Sequence, residues 1–420
     1  MKKLYFLFFL CAPLFLGGAV FALWSHFQER SRSDCEAKIL QLLDDYCYRQ
    51  AHITLLNQEN NFIGSNPPLA ARVFRLNNDP VSANKALALP HTKKQEKDWD
   101  FQQVLLRLES PKWKDQLDYA LFLSQQDPSL GNQIMESLVR GCMARMEPFI
   151  AGQWIEQWKK QNGDIRSLMA EATLHEYTDH LEDALEILER ISATAKTCSP
   201  EIEAKAGSIL LSLNKPDQAF KHWAKALDTL PDQPDWILET AKTMYLLGQT
   251  EKSLGLLNEL LEKPTAGPEV FAERGKQLLQ SGKAALALPD LEKALALEPS
   301  NVIAAENYRK ALFETGDEMR AGEWTKKVEK MRSEQERLNT IFQKELPARP
   351  QDANLMAEAA GIFLRSGHPK SALLWAQKAL AVDPVCVAAN SLLAGYYEAI
   401  GNPGLAAEHK RLIPRPKANQ

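Results

Sequence analysis

Glycines recur at Gly248, Gly282 and Gly316, each 34 residues after the last, and Gly367 and Gly401 form another pair at that spacing. The gap between Gly316 and Gly367 is 51, one period plus 17. Small residues keep the same step at Ala219, Ser253, Ala287 and Ala321, then at Ala372 and Ala406, with Ala184 one residue out of phase. Pro200, Pro234 and Pro268 keep it too. Several ladders locked to one period mean that the chain is built from a repeated supersecondary unit. A length of 420 residues would otherwise suggest two or three globular domains. The ladder replaces that count with an array.

Each period divides into two amphipathic segments of about a dozen residues, enough for three helical turns. In one period these are 269–281 and 284–297. Phe271, Leu278 and Leu279 share a face of the first segment, with Gly275 on that face where a neighbour must approach closely. Gly282 ends the segment at a position that tolerates a left-handed backbone. Ala287, Leu291 and Ala294 line the second segment at three- and four-residue spacing, and Pro299 blocks its continuation, as Pro231 and Pro384 do elsewhere. A helical hairpin of this kind has little core of its own. It becomes stable by stacking on its neighbours.

These residues resemble the tetratricopeptide repeat family. Gly275, Gly282, Ala287, Leu291, Ala294 and Pro299 match its order of small, turn, small, large, small and proline. Gly207, Ala219, Trp223, Ala226 and Pro231 match it one unit earlier, and Ala372, Ala376, Ala379 and Pro384 match it near the C-terminus. Units begin near Ile165, Pro200, Pro234, Pro268, Val302, Ala353 and Val387, so the resemblance covers roughly residues 165–412. Two positions depart from it: Arg309 replaces a small residue and Thr325 a large apolar one. The 17 extra residues lie in the polar stretch Lys326–Asp352, expected to form an extended helix that ends before Pro347, with a kink between two sub-solenoids.

Upstream the ladder fades while helical character persists. Segments Trp99–Leu108, Trp113–Gln125, Leu130–Met146 and Phe149–Lys160 read as degenerate hairpins, and residues 34–58 as one helix. Asn60–Lys97, with its Asn-Pro-Pro and Asn-Asn-Asp-Pro strings, reads as irregular linker. The expected fold is an all-α solenoid of tetratricopeptide-like hairpins preceded by one transmembrane or signal helix. Its parts are 1–25 (anchor or signal), 26–96 (helical and irregular linker), 97–164 (degenerate hairpins), 165–336 (repeats), 337–352 (helix end and linker), 353–412 (repeats) and 413–420 (basic tail).

The N-terminal address follows from an uncharged run of 21 residues, Leu4–Trp24, behind Lys2 and Lys3. That length crosses a hydrocarbon core of roughly 30 Å. As a signal anchor it stays in the bilayer with Trp24 at the interface. As a cleaved signal peptide, Val20-Phe21-Ala22 supplies the cleavage site. Either way the paired lysines favour an N-in start, which places the body outside the cytoplasm, tethered or released. Cys11 has no lipobox context, since Phe9 and Leu10 precede it. Cys35 and Cys47 are near enough to be bridged or to stand as separate core residues; Cys142, Cys198 and Cys386 are scattered. Lys410, Arg411, Arg415 and Lys417 make the C-terminal tail basic, suited to an anionic surface or to a disordered end.

Chemistry finds little footing. Lys+Arg 50 against Asp+Glu 54 gives a formal charge of −4, which argues against a general nucleic-acid binder. No C-x-x-C pair occurs, and no phosphate-loop, dinucleotide or nucleophile-elbow motif, so neither metal nor cofactor is expected. His175 and His180 are five residues apart, where a helical zinc site needs four, and they straddle a turn. The expected function is therefore a non-enzymatic scaffold or assembly factor. A rival is an enzyme or regulatory subunit with a site in 26–160, which a buried polar cluster with His52 and His91 would support. A third reading is a cytosol-facing adaptor.

One surface pattern points to a partner. Lys242, Lys276 and Lys310 repeat at 34 residues on first helices, with Tyr245, Leu279 and Phe313 three residues on. In the family that the chain resembles, first helices line a concave peptide groove. These six residues could grip an extended peptide carrying acidic or carboxylate groups. Alternatively the lysines only solubilise the face and pair with Glu239, Glu273 and Glu306. The carboxylate clamp of chaperone-binding relatives is broken at Ala204, Leu238, Ala272 and Glu273. Oligomeric state is left open.

Overall fold

The computed structural model describes residues 32–57, 62–162, 164–194, 199–264 and 266–413. The run Leu4–Trp24, Cys11, Cys198 and the tail residues Arg415 and Lys417 lie outside the described residues. Among the described residues every regular element is helical, and no helix is long and apolar enough to cross a membrane.

The seven repeat units start helices at Ile165, Pro200, Pro234, Pro268, Val302, Ala353 and Val387. Each first helix spans 13 residues. Proline suits these starts because the first turn has no use for its missing N–H. Among the described residues ten hairpins turn in the same way. The backbone N–H just after the turn residue bonds the carbonyl five residues back, as in Gln249 to Met244 and Lys283 to Leu278, both 2.9 Å. The turn residue itself has a positive φ, at Gly248, Gly282, Gly316, Gly367 and Gly401, and also at Tyr46, Asn78, Met146, Asp179 and Asn214. This turn satisfies carbonyls that a helix end leaves orphaned, and it requires a left-handed residue.

The chain divides into two compact units, Met1–Gln233 and Pro234–Gln420. In the first, residues 32–57 form two helices, 32–44 and Tyr48–Leu56, and not one. Tyr46, at φ 61°, reverses the chain between them. Asn60–Lys97 is likewise no irregular linker where it is described. It holds the helices Phe62–Ser65, Pro67–Leu76 and Pro80–Leu87. Asn66 and Asp79 cap two of them, accepting from the Leu69 and Ser82 N–H groups at 3.3 and 2.9 Å. The prolines that look like breakers are first-turn residues behind caps. Glu96–Leu108 with Lys114–Gln126 and Pro128–Ala144 with Pro148–Asn162 make two further hairpins. Cys35 and Cys47 are both buried and are not bridged to each other, the separate-residue alternative.

The second unit packs on small residues. Leu279, Ala287, Leu291, Ala294 and Ala311 share one core. A Cβ at Gly275 would lie 2.6 Å from Leu291 Cγ, so only glycine lets the two helices of this hairpin approach as they do. After Val302–Glu314 the second helix is long, Glu318–Thr340, and passes into a π-helical turn, Ile341–Glu345, and then Leu346–Ala348. The helix thus continues through Pro347 instead of ending before it. A proline removes one N–H and crowds the carbonyl four residues back. The wider turn directly upstream relaxes that constraint.

Candidate functional site

The lysine ladder lies wholly in the second unit. Helices Pro234–Leu246, Pro268–Gln280 and Val302–Glu314, neighbours in that order, carry Lys242, Lys276 and Lys310 at equivalent positions. Lys242 Nζ sits 2.6 Å from Glu239, and Lys276 Nζ 3.1 Å from Glu273. Lys310 is exposed, and Glu306 pairs with Arg332 in its place. The residues one turn on do not form a uniform row. Tyr245 is half-buried, Leu279 is 6% exposed within the apolar core, and Phe313 is 64% exposed. Glu273 is itself buried and accepts from Gln277 Nε2 at 2.9 Å, while Gln277 Oε1 lies 2.9 Å from the Ser253 hydroxyl. Ser253, one of the small-residue ladder, therefore links its hairpin to the next by a polar contact.

The first unit holds a different constellation. Tyr48 donates to Glu136 Oε1 at 2.6 Å. Arg75, 1% exposed, gives Nη1 to Glu109 at 2.7 Å and to Ser137 Oγ at 2.8 Å. Arg140 reaches Glu109 at 3.4 Å, the Arg75 carbonyl at 2.8 Å and Asn78 Oδ1 at 2.7 Å. Arg166 is held by Asp164 through Nε at 2.8 Å and Nη2 at 2.6 Å. Apart from Tyr48, which starts the second helix of the N-terminal hairpin, these groups come from Pro67–Leu76, the end of Glu96–Leu108, Pro128–Ala144 and the start of Ile165–Tyr177, the leading helices of successive hairpins. Arg75, Asn78, Glu109, Glu136, Arg140 and Arg166 border a cavity of about 740 Å³ with Tyr46. Burial, reinforced by the Glu136 charge, holds the Tyr48 phenol well above its usual range, so it stays a donor. Burial opposes the charge on Arg140, yet Glu109 and Glu136 more than offset this and raise its pKa.

The N-terminal hairpin folds back onto this unit. Arg49 N–H donates to Glu201 Oε1 at 2.7 Å, and Ser199 Oγ to the Tyr46 carbonyl at 2.9 Å. Burial pushes the Glu201 carboxyl up, partly offset by the bonds from Arg49 and Ser199. His52 lies against Phe74 and His91 stacks on Trp99, so neither histidine joins the polar cluster. His175 and His180 meet edge to face at 5.9 Å beside an apolar groove that also includes Ile155 and Leu174.

No short sequence motif spells this cluster. One signal was available. Arg72 falls on the phase of Leu69 and Leu76, Arg75 lies one turn after Ala71, and Glu136 interrupts the apolar run Ile134, Met135, Leu138 and Val139. A charge in an apolar phase needs a buried partner.

The fold and sites define an all-helical repeat protein. No family model matches the chain, and no curated protein does. Among solved structures, YrrB, described as a TPR protein with an unusual peptide-binding site, is 16% identical over 48% of this chain and 94% of its own, with a TM-score of 0.28. PilW, a type IV pilus biogenesis factor, is 19% identical over 50% of this chain and 90% of its own, with a TM-score of 0.29. The human IFIT1 dimer with PPP-AAAA is 15% identical over 91% of this chain and 93% of its own, with a TM-score of 0.42.

Proposed function

We propose that the chain is a non-enzymatic protein-interaction scaffold or assembly factor that captures an extended acidic peptide segment on the hairpins starting at Pro234, Pro268 and Val302. The observation that carries this reading is the exposed pair Lys310 and Phe313 at the end of the lysine ladder. A free ammonium beside an exposed aromatic ring offers a carboxylate one partner and an apolar side chain another. Lys242 and Lys276 already hold glutamates, so they tune the face more weakly than Lys310. In this reading the run Leu4–Trp24 tethers the protein, or exports it, and the body works outside the cytoplasm.

Crosslinked pull-down from native membranes, with Lys242, Lys276 and Lys310 all changed to Glu, tests the reading. Loss of partner capture by a folded variant is expected, and unchanged capture would overturn it. A reporter active on one side of the membrane separates this orientation from a cytosol-facing adaptor. The charge balance of −4 weighs against nucleic acid, which a gel-shift assay on single-stranded RNA checks. The enzyme reading keeps one supporting observation, the buried polar cluster within 26–160, although His52 and His91 stand outside it.

A further inference from the structure

We propose that the cavity of the first unit is a binding site for a free zwitterionic α-amino acid with an apolar side chain, its carboxylate on Arg75 and its ammonium on Glu136. This is independent of the peptide face in the second unit.

The argument starts from unmet hydrogen bonds. Arg75 is 1% exposed and uses only Nη1; its Nε and Nη2 have no partner among the described residues. Those two nitrogens form one edge of the guanidinium, with parallel N–H groups that match the two oxygens of a carboxylate. Glu136, 6% exposed, accepts from Tyr48 on Oε1, while Oε2 has no partner among the described residues. Buried polar groups are seldom left unpaired, because each costs much of its lost hydration. Here the two residues that carry an unused two-pronged donor and an unused anionic acceptor line the same cavity.

The charges then select the ligand. Arg166 is neutralised by Asp164, which leaves Arg75 and Arg140 against Glu109 and Glu136 on the cavity wall. The balance is zero. A simple anion would satisfy Arg75 and face Glu136 unpaired; a simple cation would do the reverse. A molecule that is neutral overall but carries both charges satisfies both. Leu106, Val139 and Met143 add apolar surface to the lining, beside the uncharged polar Asn84, Ser110 and Thr173. A volume of about 740 Å³ is in the range of small-molecule sites.

The test is equilibrium binding of L-methionine, L-leucine and L-phenylalanine to the full-length chain in mild detergent, by calorimetry. Saturable binding of at least one is expected. N-acetyl-L-methionine, which lacks the ammonium, and L-methioninamide, which lacks the carboxylate, should each bind at least tenfold more weakly than L-methionine. Glu136→Gln should weaken L-methionine at least tenfold and leave N-acetyl-L-methionine unchanged. Should that variant fail to fold, the ligand series on the unaltered protein still decides. Three results would overturn the proposal: no binding of the three amino acids at millimolar concentration, equal binding of the blocked analogues, or displacement of a bound amino acid by equimolar inorganic phosphate.

Discussion

Apart from the pair Glu96–Leu108 and Lys114–Gln126, the hairpins before residue 234 and those after it are closed by the same hydrogen-bonded turn, but with different residues at its strained position. The second unit uses glycine at every such turn, from Gly248 to Gly401. The first uses Tyr46, Asn78, Met146, Asp179 and Asn214. Their cores differ in the same sense. The second unit packs small apolar residues around Gly275 and pairs its buried Glu273 and Asp290 within one hairpin, whereas the first buries Arg75 and Glu136 among its apolar side chains with partners on other hairpins. Regular repeats rely on interchangeable contacts between neighbours. The first unit relies on particular partners, each of which has one place to be.

The sharpest way to break this comparison is to remove one such partner. Arg75→Ala should cost about 3–5 kcal/mol, the usual consequence of breaking a buried ion pair. Denaturant unfolding would show it as an early loss confined to the first unit, leaving the second unit's transition in place. A loss below about 1 kcal/mol, the worth of an exposed pair, would mean that the network is solvated.

The next test uses one repeat position found in both units. A Cβ at Gly207 would lie 2.8 Å from the Trp223 ring, and one at Gly275 would lie 2.6 Å from Leu291. Gly→Ala at either site should cost about 1–3 kcal/mol by overpacking. The rigid indole should make Gly207→Ala the worse of the two in thermal melts, since leucine can change rotamer.

Exchanging the turn residues isolates the backbone contribution. Gly282→Ala should lose about 1–2 kcal/mol, because a Cβ is disfavoured in the left-handed region. Asp179→Gly should move the other way, by about half a kcal/mol, aspartate being one of the residues that tolerate this region. Equal and small effects at both sites would erase the distinction between the units.

The smallest expected effect is at a cap. Asp79→Ala should cost about 1 kcal/mol near neutral pH. Hydrogen bonds from the Ser82 side chain and backbone hold the Asp79 carboxyl below its ordinary range. A lowered folded value means that the stabilisation is complete above the unfolded value of about 3.9. It disappears as pH falls through the folded value. The difference between the two proteins should therefore shrink in acid, which pH-dependent melts would detect.

The glycine ladder made the second unit legible, and with it the starts of seven helices from Ile165 to Val387. The first unit was harder because its ladder is present in backbone conformation and absent in residue type. Met146 and Tyr46 give no hint that they occupy a turn that favours glycine. The prolines after Asn66 and Asp79 read as breakers until their capping bonds are seen. Pro347 misled for a related reason, since the π turn before it lets the helix pass. Of the ladder residues, spacing alone placed Lys310 and Phe313 on an exposed face, but it could not tell that Leu279 is turned into the core. The cavity groups escaped because Arg75, Glu109 and Glu136 are far apart in sequence and share no motif.

The bond from Arg49 to Glu201 joins residues 152 apart. Ordering a loop of that size costs entropy before any contact repays it, so this closure belongs late in folding. The hairpin of residues 32–56 leaves the ribosome before its docking site on Ser199 and Glu201, which is made only after the intervening hairpins have been synthesised. Until then Tyr46 and Tyr48 lack part of their native surroundings. A truncated chain ending before Ser199 should show fast amide exchange in residues 46–57, where the full chain is protected.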